Sequence, residues 1–279
     1  VYFKWDKNMG ADRNYLKCVE IANGEFCWLM GSDDVIEKGG IDYVLESLRE
    51  TPDVVGISVN RYAYDYSLKN RLREKPIAYG KLTFDFLFTE VEDIVYYLGD
   101  YFGYISGQII NKRLWDNILE INRYKISEYF NAYVHIFVIF NMINKKPYWK
   151  YISKRCVGWR SNNDSFLSDV FLNRIKLDII GYEKIAGDVF GRDSKAYHSL
   201  MAKISTIHVF SYVWIGKMEN KFSWDDYIYL FKKCLNYYYK YPKFWYKTFI
   251  LLIVPTFVLK FLRFIYRKTF KKFIIKENL

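Results

Sequence analysis

The chain has 279 residues, 51% of them apolar, which allows a sizeable core and excludes global disorder. Its net charge of +11 is uneven: residues 240–279 hold ten Lys/Arg against one acid, Glu277, so the preceding 239 residues carry only +2. A nucleic-acid binder, with positive charge spread over its folded face, is disfavoured by that distribution. The four cysteines form no CxxC and the three histidines no ligand spacing, which speaks against zinc or a disulfide frame and for a reducing compartment.

Residues 1–4 read as a strand, and the chain enters already inside such a run; a preceding segment of the protein is therefore expected. Asn8-Met9-Gly10 is a turn, and Asp12 is placed to cap the helix after it. Tyr15, Cys18, Val19 and Ala22 recur at helical spacing, so one face of that helix is buried. Asn23-Gly24 ends it, with glycine supplying a left-handed cap.

Residues 26–30 are five apolar residues in a row, a strand buried on both faces. They run into Gly31-Ser32-Asp33-Asp34. Ligands of open α/β sheets sit beyond the carboxyl ends of such strands, where these two acids fall. Adjacent carboxylates repel, and Mg²⁺ or Mn²⁺ shared with phosphate oxygens offsets that cost. The plainer alternative is a solvated turn.

A helix over 41–48 and a strand over 54–59 complete a β-α-β-α-β order. That order implies an α/β fold with a mostly parallel sheet flanked by helices. Residues 61–80, with Arg61, Lys69, Arg71, Arg73 and Lys75, read as a loop over the sheet edge. Residues 82–98 read as a helix, 104–111 as a strand, 129–143 as a buried helix carrying His135, and 148–157 as a last strand. A polar loop over 158–165 leads into helices at 166–180, 194–218 and 224–239. The division expected is a domain over 1–157, a helical extension over 158–239 and a basic tail over 240–279.

In the tail, the apolar run 244–259 is broken by Pro255 and is shorter than the roughly 20 residues of a spanning helix. Beyond it, Lys260, Arg263, Arg267 and Lys271 form one helical stripe, with Val258, Phe261, Leu262, Ile265 and Phe273 on other sides. A basic, aromatic-rich helix of this kind lies in a membrane interface and is drawn to anionic lipid. The alternative is a helix packed on the protein with a solvated basic face.

Asn8-Met9-Gly10, Asn14, Gly24-Glu25, the apolar strand 26–30 and Gly31-Ser32-Asp33-Asp34, in that order and spacing, resemble the middle of a family 2 glycosyltransferase with the GT-A fold. Asn14-Tyr15-Leu16-Lys17 and Gly31-Ser32-Asp33-Asp34 are similar to the abequosyltransferase-like members of O-antigen assembly. The resemblance implies a Rossmann-like GT-A domain, truncated here at its N-terminus because the family's nucleoside-binding strand and loop come before Val1, with a C-terminal helical extension. It implies a nucleotide-sugar donor contacted by Asn8, Gly10, Asn14, Ser32, Asp33 and Asp34. A divalent metal, Mg²⁺ or Mn²⁺, would be held by Asp33 and Asp34. Gly31 stands where the family's Asp-x-Asp motif has its first acid, so that contact would be absent.

Inverting members carry a catalytic base at the head of a helix near the acceptor, a place that Glu128 fills first and His135 second. Their plain alternatives are a helix-start carboxylate and a buried core histidine. The activity implied is transfer of a hexosyl or deoxyhexosyl group to a lipid-linked saccharide, by a peripheral enzyme at the cytoplasmic face of the membrane. A second reading stays open: a membrane-attached GT-A-like protein that binds saccharide or a partner enzyme without turnover. Gly31 and the lack of a Glu-Asp dipeptide before the 129–143 helix leave room for it.

Overall fold

The computed structural model describes residues 1–72, 82–161, 163 and 171–276, with side chains in the last helix described through Tyr266 and at Lys268. Arg73, Lys75, Glu277, residues 162, 164 and 165 of the 158–165 loop, the start of the 166–180 helix and the side chains of Arg267, Lys271 and Phe273 lie outside the described residues. Two compact units divide the chain, Val1–Ser165 with Ile180–Leu200, and Phe166–Ile179 with Met201–Leu279.

The first unit is an α/β layer structure. Among the described residues its sheet has six strands: β1 (Phe26–Trp28), β2 (Val35–Ile36), β3 (Gly56–Tyr64), β4 (Phe86–Phe88), β5 (Gln108–Asn111) and β6 (Trp149–Arg160), in the order β1-β5-β3-β6-β2, with β4 also on β6. Only β3 and β6 pair in parallel; the other four pairings are antiparallel. The parallel sheet expected from the element order is thus corrected. β1, β3 and β6 do run the same way, but antiparallel β5 is inserted between β1 and β3, so consecutive strands do not become neighbours.

Sequence sets the local choices. Gly56-Ile57-Ser58-Val59 is buried on both faces, and Ile57, Val59, Ile109, Ile152 and Val157 form the sheet's core with Val44 and Val54. A Cβ at Gly56 would stand 2.3 Å from the Trp149 ring, so the residue must be glycine for that indole to pack. Helix α1 (Ala11–Glu20) precedes β1, α2 (Gly40–Glu50) follows β2, α3 (Val91–Leu98) follows β4, and α4 (Lys112–Ile121) and α5 (Val134–Lys145) lie between β5 and β6. In α5, Val134 to Phe140, Met142 and Ile143 are all buried, so this helix is enclosed all round, as its unbroken apolar run predicts.

Several local expectations are corrected. Residues 1–4 form no strand, and only Val91–Leu98 of 82–98 is helical, because Phe86–Phe88 pairs with β6. Of the loop expected over 61–80, residues 61–64 are strand instead: β3 continues to Tyr64 because β6 runs alongside it to Arg160. Gly24 is not in the left-handed region; α1 ends at Ile21, whose N–H bonds to Lys17. Asp12 does not cap its own helix. It is buried, and its carboxylate accepts from the N–H groups of Ala132 (2.6 Å) and Val134 (3.0 Å), which caps the start of α5 instead. Ala132 has φ +75°, a left-handed conformation held by that bond.

Tyr101–Gly103 and Ile105–Gly107 are short 3₁₀ turns laid over the sheet, where a strand from 104 was expected. A buried polar clasp fastens them. Ser58 Oγ donates to Gln108 Oε1 (2.7 Å), Trp149 Nε1 donates to Ser58 Oγ (3.0 Å), and Gln108 Nε2 reaches the carbonyls of Tyr101 (3.2 Å) and Tyr104 (3.1 Å). Tyr101 completes it by donating to the Val59 carbonyl at 2.7 Å.

The second unit is helical. Its notable feature is the bent pair Pro242–Ile253 and Thr256–Tyr266, which turns by 105° at Val254-Pro255. No single described helix is long and apolar enough to cross a membrane. A helix end leaves its last carbonyls without partners. Here Lys217 takes them: its Nζ donates to the carbonyls of Leu251 (2.5 Å), Leu252 (3.0 Å) and Val254 (2.6 Å). Burial pushes its pKa down to about 8, so the ammonium still carries its proton at neutral pH and matches three donors to three acceptors. Lys217→Met removes all three bonds and strands the carbonyls. We expect it to lower the local stability of the bend by about 2–4 kcal/mol, read as lost hydrogen-exchange protection over 209–218 and 242–253, with Lys217→Arg losing less.

Candidate functional site

β1 ends at Trp28, and the chain leaves the sheet through Leu29 and Met30 into the acidic turn. Two bonds aim that turn. Leu29 N–H bonds to the Gln108 carbonyl (3.1 Å), and Gly31 N–H bonds to Ser106 Oγ (2.9 Å). The Trp28 indole donates to the Ser106 carbonyl (2.9 Å), so Ser106, wholly buried, braces the turn from both sides.

Beside it lies a cleft of about 640 Å³ between α1 and the end of β1, lined by Asn14, Tyr15, Cys18, Trp28, Ser32 and Asp33 among others. The buried face read from the helical spacing of Tyr15, Cys18, Val19 and Ala22 is therefore also one wall of the cleft. Asn14, Ser32 and Asp33 are brought together there. Asn8 and Gly10 are not part of the lining. They build the entry to α1, with the Asn8 side chain accepting from Gly10 N–H (2.9 Å) and Gly10 at φ +83°.

The two carboxylates are held differently. Asp33 Oδ2 accepts from Asn163 Nδ2 (2.7 Å), and Asp34 Oδ1 accepts from Arg160 N–H (3.0 Å), while Arg160 Nε bonds to the Asp33 carbonyl (3.0 Å). Their other oxygens converge. A Cβ on Gly31 would lie 3.0 Å from Asp33 Oδ1, 3.7 Å from Asp34 Oδ2 and 3.1 Å from Ser106 Oγ. A side chain at position 31 would press on the Asp33 oxygen and the Ser106 hydroxyl, each of which would have to give by a few tenths of an ångström.

The acids charge their surroundings. Tyr15 is pushed up to about 12, first by burial and then by the negative charges of Asp12 and Asp33. Burial, then Asp34, likewise raises Tyr104 far above the ordinary phenol range. Both phenols stay protonated at neutral pH.

As for a metal, two acid oxygens facing one point beside a hydroxyl suit a hard divalent cation. Among the described residues no group of three or more His, Cys, Asp or Glu converges. An ion here would take Asp33 and Asp34 from the protein and its remaining ligands from phosphate oxygens or water. That is how Mg²⁺ is usually bound.

The two base candidates lie outside this lining. Glu128, in the short turn Ile126–Tyr129, has a half-exposed side chain whose carboxylate meets Lys184 at 3.3 Å. His135 is buried in α5, edge-on to Tyr15 with ring centroids 5.2 Å apart, and no side chain hydrogen-bonds to its nitrogens. Ser106, Asn163, Arg160 and Tyr104 were not legible as site residues. Each reaches the turn from a distant part of the chain, and none sits in a local pattern that marks it.

Burial lowers the His135 pKa to about 4. The unfolded chain takes up this proton near pH 6.5 and the folded chain only near 4, so the stability from keeping the ring neutral is lost as pH falls through that window. We expect unfolding free energy in urea to drop by up to about 3 kcal/mol between those limits through this group alone. His135→Phe should flatten the slope by that amount; an unchanged slope contradicts the assignment.

Comparison with known proteins agrees with the resemblance read from the sequence. Residues 1–110 match the family model described as glycosyl transferase family 2. Over 214 residues the chain is 29% identical to the abequosyltransferase RfbV of Salmonella typhimurium, an alignment covering 73% of this chain and 62% of that protein. The chain thus spans under two thirds of that relative's length. Among solved structures, TarS 1–349 of S. aureus in complex with UDP superposes with a TM-score of 0.51 at 13% identity, over 82% of this chain and 61% of that one. A second crystal structure of TarS 1–349 gives a TM-score of 0.51 at 13% identity, over 83% of this chain and 62% of that one. At such identity the likeness is one of fold, and that fold is the GT-A glycosyltransferase architecture expected.

Proposed function

We infer that this chain, whose residues 1–110 match the family 2 glycosyltransferase model, is a glycosyltransferase of polysaccharide or O-antigen synthesis that moves a sugar from a nucleotide donor to a saccharide acceptor. The observation that carries the reading is the Asp33 and Asp34 turn at the end of β1, opening on the cleft lined by Asn14, Tyr15 and Ser32. In such a transfer the bond from the sugar to the diphosphate breaks as the acceptor hydroxyl attacks, and the departing oxygen gains negative charge. Mg²⁺ or Mn²⁺ held by Asp33 and Asp34 would supply electrostatic stabilisation of that charge. Asn14 and Ser32 contribute neutral donors and acceptors in the same cleft, and Asn8 and Gly10 set the angle at which α1 presents Asn14. A positioned base takes the acceptor proton. Of the two candidates, only Glu128 is open to solvent; His135 is sealed and kept neutral. The transfer would be inverting and the group a hexose or deoxyhexose.

In full-length protein, Asp33→Asn should lower kcat/KM for transfer about 100-fold or more, because the developing charge loses its partner. Asp34→Asn should cost less, since one of its oxygens is already committed to Arg160. Full activity in Asp33→Asn, with or without Mn²⁺, rules out the metal role. Donor hydrolysis absent from the unmodified protein favours the non-catalytic reading instead.

The lipid-linked acceptor and the cytoplasmic membrane face belong to the same proposal. They are supported by the bent pair, whose Trp245, Tyr246, Ile253, Phe257, Phe261 and Phe264 are exposed next to Lys243, Lys247, Lys260 and Arg263. Apolar side chains with a cationic border suit an anionic interface. The first arm cannot simply be deleted to test this, because Phe244, Thr248, Leu251 and Leu252 are core residues of the second unit. Phe257→Ser with Phe261→Ser leaves that core intact and should abolish flotation with vesicles containing phosphatidylglycerol; undiminished flotation refutes the membrane assignment.

A further inference from the structure

Arg61 stands near the middle of β3, half-buried, with its guanidinium set in a frame of three rings. Its Cζ lies 4.1 Å from the centre of Tyr104, 4.6 Å from Trp159 and 5.5 Å from Tyr101. Rings at these distances attract a guanidinium through their π faces and offer no lone-pair acceptor to its N–H edge. Among the described residues, no carboxylate, carbonyl or hydroxyl accepts a hydrogen bond from that edge. Five other arginines are committed: Arg71 to Glu37, Arg123 to Glu120, Arg174 to Asp178, Arg192 to Glu183 and Arg160 to the Asp33 carbonyl. A fixed, partly desolvated cation without a counter-ion carries a cost that an anion would offset.

The frame also places Arg61 next to the acidic turn. Tyr104 and Tyr101 both feel the Asp34 carboxylate and the Arg61 cation. Trp159 precedes Arg160, whose N–H is bonded to Asp34. The Tyr104 ring, 4.1 Å from the guanidinium, therefore also lies in the field of the Asp34 carboxylate. The buried clasp fixes those rings, since Gln108 holds the carbonyls of Tyr101 and Tyr104 and Tyr101 is bonded to Val59.

We propose that Arg61 is a phosphate-binding residue, a preset guanidinium that pairs with the phosphate of a diphosphate ester lying against the Asp33-Asp34 turn. The proposal rests on the glycosyltransferase reading for its substrates, and the chemistry is common to two of them: the nucleotide sugar and a lipid diphosphate that carries the acceptor. Guanidinium geometry suits a phosphate edge because two parallel N–H groups meet two oxygens, which an ammonium cannot reproduce. The acids alone would repel the ligand; the cation beside them makes the site favourable to a phosphate with or without its metal.

Inorganic pyrophosphate is the probe, titrated calorimetrically into full-length protein with and without Mn²⁺, so that no turnover is required. The unmodified protein should bind it. Arg61→Gln should weaken binding at least tenfold, and Arg61→Lys should fall between, keeping the charge but losing the fork. Circular dichroism of both variants should match the parent, and if Arg61→Gln fails to fold, Arg61→Lys carries the comparison. Competition then separates the sources: displacement by nucleoside diphosphates but not farnesyl diphosphate assigns the phosphate to the donor, and the reverse to the acceptor lipid. Parent protein that ignores pyrophosphate, or variants that bind it equally well, overturn the proposal. Glycosyl transfer can survive either of those results, so the two readings fail separately.

Discussion

The Gln108 carboxamide is the contact on which the first unit's geometry turns. It sits wholly buried at the head of β5, takes the Ser58 hydroxyl, and holds the carbonyls of Tyr101 and Tyr104. A buried amide left unpaired costs about 1–3 kcal/mol, so the network is favourable only when every member is in place. Completed, it locks the two 3₁₀ turns onto the sheet. Those turns deliver Ser106 to the backbone of Gly31 and two tyrosine rings to the side of Arg61. Core packing around Gly56 and Trp149 supports the same place from below, since the indole nitrogen is bonded to Ser58.

Electrostatics at the turn follow from that scaffold. Two neighbouring aspartates at a strand end would repel each other in isolation. Here each gives one oxygen to a donor, Asn163 or Arg160, and turns the other to a shared point above Gly31. The arrangement leaves one oxygen of each acid close to the Gly31 backbone. It also couples residue 31 to its neighbours: a side chain there would press on the Asp33 carboxylate and the Ser106 hydroxyl.

The second unit solves a different problem. A helix that bends by 105° must find partners for the carbonyls it frees, and Pro255 cannot donate. Lys217 supplies three donors from one buried ammonium, and the Tyr227 hydroxyl adds another to Leu252 at 2.9 Å. The bend is therefore a defined feature and not a fraying point. One arm is half core and half surface, and the other is mostly exposed.

What the sequence determined by itself was local. An apolar run ending in Gly-Ser-Asp-Asp announces a buried strand with acids at its mouth, and the helical spacing of Tyr15, Cys18 and Val19 announces the wall that faces it. The unbroken apolar stretch of α5 announces an enclosed helix, and Pro255 with the charge of the tail announces a break and a basic end. Those signals depend on neighbours a few residues apart, where period and turn chemistry act.

The tertiary structure alone decided what comes together from afar. Antiparallel β5 came to lie between β1 and β3 because strand pairing is settled by hydrogen-bond partners and not by order along the chain. Asp12 caps a helix 120 residues onward, and Ser106, Asn163 and Arg160 reach the acidic turn across 75 to 130 residues. Arg61 reads in one dimension as one charge among five in a polar stretch. Only the fold sets it among three rings beside the aspartates, since a side chain's partners are fixed by the packing of segments that no short pattern relates.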